Sequence, residues 1–260
     1  MSDGINYSGR SYTTLVKQDT GIVYDISSLN LSFYFDGNDF NTITGDWNGK
    51  VSAGDSGSKT LTNYTPGGIP GTEYAPSGLQ VPRINPVPGT AQGFTAGSLA
   101  NMFSSSEGSL VYAIKYYGSD NSSLTYNTES AFVKDTGNYF STVFYDSISG
   151  GRNRTYLDGS LTAYAEPNFS TEGWHIYSVI WSSTLQTLFC YIDSTDNNAF
   201  MSISTTPISL INDLYFGFNP ISGDRLNCAI GGIRASKTFY DVGTPELELL
   251  NNELKQLVGI

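Results

Sequence analysis

The chain has 260 residues and a formal charge of −11, from 24 acidic against 13 basic residues, and only 14% of it is charged. An acidic balance of that size opposes condensation onto nucleic acid or anionic lipid, both of which need clustered Lys and Arg, and no window of about 18 apolar residues offers a membrane-spanning helix. Aromatic residues reach 13%, with 18 Tyr and 14 Phe among abundant Gly, Ser, Thr and Asn, the mixture of a β-rich domain in which rings fill pleated faces and small polar residues close the turns.

Residues 1–28 scatter polar and aromatic side chains without helical periodicity and read as an N-terminal arm or an edge strand. The opening MSDGINYSGRSYTT has neither the basic start nor the apolar run of a secretory signal, so a chain made in the cytoplasm that stays soluble is expected. Leu29, Leu31, Phe33 and Phe35 then alternate with polar residues and Tyr34, which predicts a strand with one apolar face, and Asp36-Gly37-Asn38-Asp39 reads as its closing turn. Six of the ten prolines (Pro66, Pro70, Pro76, Pro82, Pro86 and Pro88) fall between Asn63 and Phe94. Proline donates no ladder hydrogen bond and restricts the residue before it, so 63–93 is predicted to be a long extended loop and neither a central strand nor a helix. A loop of that length is either functional or disordered, and the sequence favours neither reading.

From Gly108 strand signals recur at short intervals: SLVYAIKYYG, AFVKDTGNYFSTVFYD, RTYLDGSLTAYA, WHIYSVIW, TLFCYID, AFMSIS, DLYFGF and CAIGGIRASKTFY. Turn signals such as Ser149-Gly150-Gly151, Asp158-Gly159 and Asp196-Asn197-Asn198 separate them, and the spacing predicts an antiparallel all-β sandwich or barrel. TPELELLNNELKQLVG is the one predicted helix: Thr244 caps it, Pro245 suits its first position, Glu246 and Glu248 complement its dipole, and Gly259 stops it. Leu247, Leu250, Leu254 and Leu257 form its apolar stripe, which predicts packing on a sheet.

The only histidine, His175, stands in GWHIYSVIWSSTLQTLFCYIDS. Alternation places it on the opposite face from Trp174 among large apolar neighbours, so a hydrogen-bonded structural histidine is expected rather than a catalytic one. Cys190 and Cys228 lack metal-type spacing and sit in apolar, strand-like surroundings, which favours two buried thiols over a disulfide.

Four pieces in order, NLSFYFDGNDF, SLVYAIKYY, GWHIYSVIWSSTLQTLFCYIDS and LYFGFNPISGDRLNCAIGGIRASKTFYDVGTPELELLNNELKQL, resemble the laminin-G-like, concanavalin-A-like jelly-roll family across residues 29–257. The resemblance implies a two-sheet antiparallel jelly-roll sandwich with one short C-terminal helix, a single domain over 29–260 behind the arm. It departs from the family where Ser194 follows Asp193 in place of a common Gly, and where the proline-rich stretch looks like an insertion. Relatives of this kind often hold calcium at the sheet rim. Asp36, Asn38 and Asp39 are the oxygen-rich cluster that would take it, with Asp193 and Asp196 behind. Turn chemistry accounts for the same residues, so no cofactor is expected, with calcium as the one alternative.

The same fold hosts glycoside hydrolases, which need two carboxylates about 5–10 Å apart. Glu246 and Glu248 form the only Glu-x-Glu and lie on different faces of a helix, so an enzyme would have to assemble acids from distant strands, for instance Asp146, Asp158 and Glu166. Tyr116, Tyr117, Tyr126, Tyr139 and Tyr145 lie in or beside loop-rich segments, and Arg152 and Arg154 beside Tyr156 form the only compact basic spot; these are the candidate ligand contacts, packing on the sandwich being the competing reading for each tyrosine. Low charge, polar small residues and flexible arms look like phage virion proteins that carry such domains. The expectation is a non-enzymatic virion structural or adhesive protein, in a tail fibre, baseplate or capsid decoration, that binds a host glycan or a neighbouring virion protein. A glycan hydrolase or lyase on the same jelly roll is the alternative. Other virion proteins, or copies of the chain itself, are its expected partners through the arm and the 63–93 loop, with neither nucleic acid nor membrane insertion, and the virion is its expected location.

Overall fold

The structure, a computed structural model, describes residues 23–50, 59–64, 68–84, 92–95, 106–117, 127–133, 140–146, 151–157, 160–169, 173–202, 215–217, 227–241 and 243–260. At residue 59 and within 127–169 and 194–202 the description is of backbone path and register. Strands are numbered along the chain. The first sheet runs β14 (Ser194–Ser202), β13 (Thr187–Ile192), β12 (His175–Ser182), β7 (Glu107–Tyr116), β16 (Cys228–Ser236), β5 (Gln80–Ile84) and β4 (Gly71–Tyr74), with β1 (Phe33–Asp36) also paired to β16. The second runs β11 (Ser160–Phe169), β10 (Gly151–Leu157), β9 (Phe140–Asp146), β8 (Asn127–Val133), β15 (Tyr215–Phe216), β6 (Phe94–Thr95), β3 (Lys59–Asn63) and β2 (Trp47–Gly49). Neighbours pair antiparallel throughout. The chain is an all-β sandwich with one C-terminal helix, α1 (Pro245–Val258).

Alternation along β7 and β12 divides their side chains between two cores. Leu110, Tyr112, Ile114 and Tyr116, with Tyr177, Val179 and Trp181, enter the core between the sheets, where Phe33, Phe35, Trp47, Phe94 and Phe216 meet them. Val111, Ala113, Ile176 and Ile180 form a second core on the other face, closed by Leu247, Leu250, Leu254 and Val258 of α1. Strands buried on both faces explain why SLVYAIKYY and WHIYSVIW read as nearly continuous apolar runs.

The helix forms as its termini predict. Thr244 Oγ1 accepts from Leu247 N at 3.5 Å, Pro245 opens the first turn, and Gly259 closes it in the left-handed conformation at φ +85°. Val258 replaces Leu257 as the last fully buried member of the stripe. Gly231 of β16 makes the close approach possible: a Cβ there would stand 2.1 Å from Val258 Cγ1. The Gly231-Gly232 pair is therefore the bed on which the helix lies.

Two expectations from the sequence are corrected. The proline-rich stretch is not one long loop: β4 and β5 form a hairpin inside the first sheet, and β5 lies between β16 and β4. The prolines are accommodated because β16 pairs only with Arg83 and Ile84, leaving Pro82 opposite Thr72 of the edge strand alone, while Pro76 stands in the turn closed by Ala75 N to Leu79 O at 2.9 Å. That turn is fastened to α1, since Ser77 Oγ donates to Leu257 O at 2.7 Å and Ser77 N to Val258 O at 3.0 Å. Residues 65–67 and 85–91 of the stretch, and residues 1–22 of the arm, lie outside the described residues. The second correction concerns Leu29 and Leu31, which are buried but join the helix-side core, while Phe33 and Phe35 join the inter-sheet core. The strand begins only at Phe33, so its alternation does not extend back to the leucines.

Candidate functional site

The sandwich has two outer faces, and they differ. On the first sheet the outer face is taken by α1 and, beside it, by a half-buried polar cluster. Lys115 Nζ donates to Glu73 Oε1 at 2.9 Å, the Tyr117 hydroxyl donates to Glu73 Oε2, and the Arg83 guanidinium lies over the Tyr117 ring at 3.8 Å. Burial, with the bond to Glu73, raises the Tyr117 phenol above its ordinary pKa, and hydrogen bonds to Tyr117 and Glu73 raise Lys115 above its own. Tyr117 is committed to this cluster, with cations against its ring. Tyr116, one residue earlier, is in phase with Tyr112 and Ile114, so it points into the inter-sheet core and is 1% exposed. Its expected place at the surface is corrected, the same alternation that fills the core having claimed it.

The second sheet can be oriented from its buried side chains. Register partners on adjacent strands face the same way. Trp47 faces Leu61, Asn63 faces Phe94, Phe94 faces Phe216, and Phe216 faces Phe132, Trp47, Leu61, Phe94 and Phe216 being core residues. Asn48, Thr60, Thr62, Thr95 and Tyr215 therefore lie on the outer face, and each is half-buried or exposed. Among the described residues no helix covers them. This face offers hydroxyls, an amide and an aromatic ring, all of which can contact polyhydroxylated ligands.

The register continues outward to residues that the sequence singled out. Phe132 is level with Thr142 and Thr142 with Thr155, so those positions share the inner face and their neighbours in β9 and β10 share the outer one. Tyr145 is the partner of Arg152, and Val143 of Arg154, which in turn is the partner of Tyr164 on β11. Three predicted contacts, Tyr145, Arg152 and Arg154, are thus brought together on adjacent strands. Tyr126 and Tyr139 lie outside the described residues, as does Asp158 of the enzyme alternative, whose other acids, Asp146 and Glu166, are separated by β10. Tyr215 and Thr95 escaped sequence reading because β15 and β6 are two residues long, and for these and for Thr62 of β3 only pairing reveals the face.

The Asp36, Asn38 and Asp39 cluster forms a single 3-10 turn, Gly37–Asp39, and its carboxylates are engaged by cations of the chain. Lys50 Nζ lies 3.3 Å from Asp36 and 2.7 Å from Asp39, and Arg234 Nη2 lies 2.6 Å from Asp36 Oδ1. Burial works to lower the Lys50 pKa, but its bonds to Asp39 and Asp36 prevail and hold it raised. A calcium ion bound here would have to displace Lys50. Among the described residues no three His, Cys, Asp or Glu side chains gather as a metal site would need.

His175 opens β12 on the opposite face from Trp174, as alternation requires, and its Nδ1 lies 2.7 Å from Asp193 Oδ2. Asp193 Oδ1 accepts from Ile176 N at 2.8 Å, and the Asp193 carbonyl accepts from Lys255 Nζ at 2.6 Å. The pair fastens the β13–β14 turn, where Asp193 itself has φ +62°, to β12 and α1. Asp tolerates that left-handed conformation, so the turn forms without the glycine common in the resembled family. His175→Gln is expected to lower stability by about 0.5–1.5 kcal/mol through loss of this bond; an unchanged melting temperature would refute the fastening role. Cys190 and Cys228 are both buried and form no disulfide.

No family model matches the chain, and no curated protein matches it. Solved structures do. Domain 4 of an extracellular arabinanase from Geobacillus stearothermophilus, in complex with arabinotriose, is 16% identical, with 88% of this chain and 98% of that one covered at a TM-score of 0.56. A sialidase from Trypanosoma rangeli is 9% identical over 87% of this chain at a TM-score of 0.56, and the match spans 33% of its length. A GH54 α-L-arabinofuranosidase is 12% identical, with 82% and 51% covered, at a TM-score of 0.51. At these identities the likeness is one of fold: the sandwich is shared with domains of glycan-binding and glycan-processing proteins.

Proposed function

We propose that the chain is a non-catalytic glycan-binding sandwich, serving in a virion as a structural or adhesive component. The observation that carries the reading is the outer face of the second sheet, where Asn48, Thr60, Thr62, Thr95 and Tyr215 present hydrogen-bonding groups and a ring while α1 covers the opposite side of the molecule. Sugars are bound by such surfaces, because hydroxyls and amides replace water around the ligand and an aromatic ring covers its apolar patch. The arabinanase domain that shares the fold over nearly its whole length holds arabinotriose, which supports a glycan as the ligand class. The virion setting rests on the composition and on the arm expected from the sequence of residues 1–28, which would tie subunits to neighbours; Tyr74 of edge strand β4, 68% exposed, is a second candidate contact.

The test is the full chain applied to immobilised arabinan and to a panel of host-surface glycans, with reducing ends assayed in the same wells. Retention without release of new ends is expected. Release of ends would favour the hydrolase alternative, and retention on none of the glycans would overturn the reading.

A further inference from the structure

We propose that the β9–β10–β11 end of this outer face selects acidic glycans, with Arg152 and Arg154 receiving a sugar carboxylate and the adjoining tyrosines receiving the ring. The proposal rests on the glycan-binding reading and adds the charge of the ligand to it. Its ground is a juxtaposition set by backbone register. Arg152 and Arg154 occupy alternate positions of one strand, both on the outer face, with Tyr145 level with Arg152 on one side and Tyr164 level with Arg154 on the other. Tyr156 follows at the next position of the same face. Alternate residues of a strand are about 7 Å apart and cross-strand partners about 5 Å, so the group spans the dimensions of one or two sugar residues.

Charge makes this placement informative. The chain carries −11 overall. The cations Lys50, Arg83, Lys115 and Arg234 are each paired with carboxylates of the chain itself, and Lys255 is spent on the Asp193 carbonyl. Arg152 and Arg154 add two positive charges at alternate positions of one strand, on the outer face of the second sheet. The guanidinium fork matches a carboxylate in bidentate fashion, and a flanking phenol ring covers the apolar side of a pyranose while its hydroxyl stays in water. A neutral glycan would leave that charge unused.

The full chain is titrated with oligogalacturonate and with the same oligomer after reduction of its carboxyls, with 3′-sialyllactose and with lactose, at low and high salt; oligo-dT serves as a phosphate-bearing control. At least one acidic member is expected to bind about tenfold or more tighter than its neutral counterpart, with the advantage shrinking in salt. Arg152→Ala with Arg154→Ala is expected to erase that advantage, while Arg152→Lys with Arg154→Lys retains part of it. Equal binding of acidic and neutral members would overturn this proposal and leave the glycan-binding reading standing. Binding of none of the sugars would overturn both. Oligo-dT bound as tightly as the acidic sugars, or an acidic preference that survives the double alanine variant, would also overturn it. Should the alanine variant fail to fold, the comparison on the unaltered chain and the lysine variant decide the matter.

Discussion

Arg234→Ala is expected to destabilise the protein by about 3–5 kcal/mol, the cost of leaving buried carboxylates without their counter-charge. The Arg234 side chain is 1% exposed and stands between Asp36 of β1 and Glu253 of α1. Its Nε and Nη2 reach Glu253 at 2.9 and 2.6 Å, Nη2 reaches Asp36 at 2.6 Å, and Nη1 donates to the Phe35 carbonyl at 2.8 Å. One residue of β16 thereby ties the first strand and the helix to the sheet. Burial raises the Glu253 carboxyl above its ordinary pKa despite the guanidinium beside it. A carboxyl raised in the folded state contributes stability that is fully present below its unfolded pKa and is lost as pH rises through the folded one. Without Arg234 that rise grows, so the gap between variant and parent should be widest near neutrality and narrow as pH falls toward about 4. Urea unfolding of both proteins across this range measures it; a gap under about 1 kcal/mol at neutral pH, or one that does not close in acid, would contradict the account.

Trp47→Ala should cost a similar amount, about 3–5 kcal/mol, by removing a large ring from a core that cannot collapse around the void. Trp47 is fully buried, with its ring centroid 5.5 Å from that of Phe35 and 5.8 Å from that of Phe94, so it joins the two sheets. Its Nε1 donates to the Asp36 carbonyl at 2.6 Å, which fixes the end of β1 where the Arg234 network begins. Trp47→Phe retains most of the apolar area and loses the donor, so a smaller loss of about 1–3 kcal/mol is expected. Thermal melts of the two variants separate the contributions. Equal losses would mean that the hydrogen bond, and not the ring volume, dominates.

The order of strands and the helix were legible because their signals are local. The short apolar runs SLVYAIKYY, WHIYSVIW and TLFCYID between turn signals, and the Thr244-Pro245 start with the Gly259 stop, each fix one element without reference to the rest of the chain. What failed was non-local. Pro82 appeared to forbid a strand, yet the cost of its missing N–H depends on which neighbour is paired at that rung, and β16 has ceased pairing there. Leu29 and Leu31 have the right period for the first strand but are claimed by a helix more than 200 positions away in sequence. The candidate site was partly legible: Tyr145, Arg152 and Arg154 stood out by residue type. Tyr116 and Tyr117 stood out equally, and only sheet pairing separates rings in the core or under cations from positions on the outer face. Thr62, Thr95 and Tyr215 carry no signal of their own in the sequence.

The central claim is that ligands bind the outer face of the second sheet, opposite α1. Both native cysteines are fully buried, so an introduced surface cysteine can be labelled selectively. Thr62→Cys on the candidate face and Glu248→Cys on the exposed side of α1, each coupled to a bulky polymer, give a direct comparison on whichever glycan the parent retains. The account predicts that the adduct at position 62 abolishes retention and the adduct at 248 leaves it intact; retention that survives the first adduct and is lost with the second would contradict it.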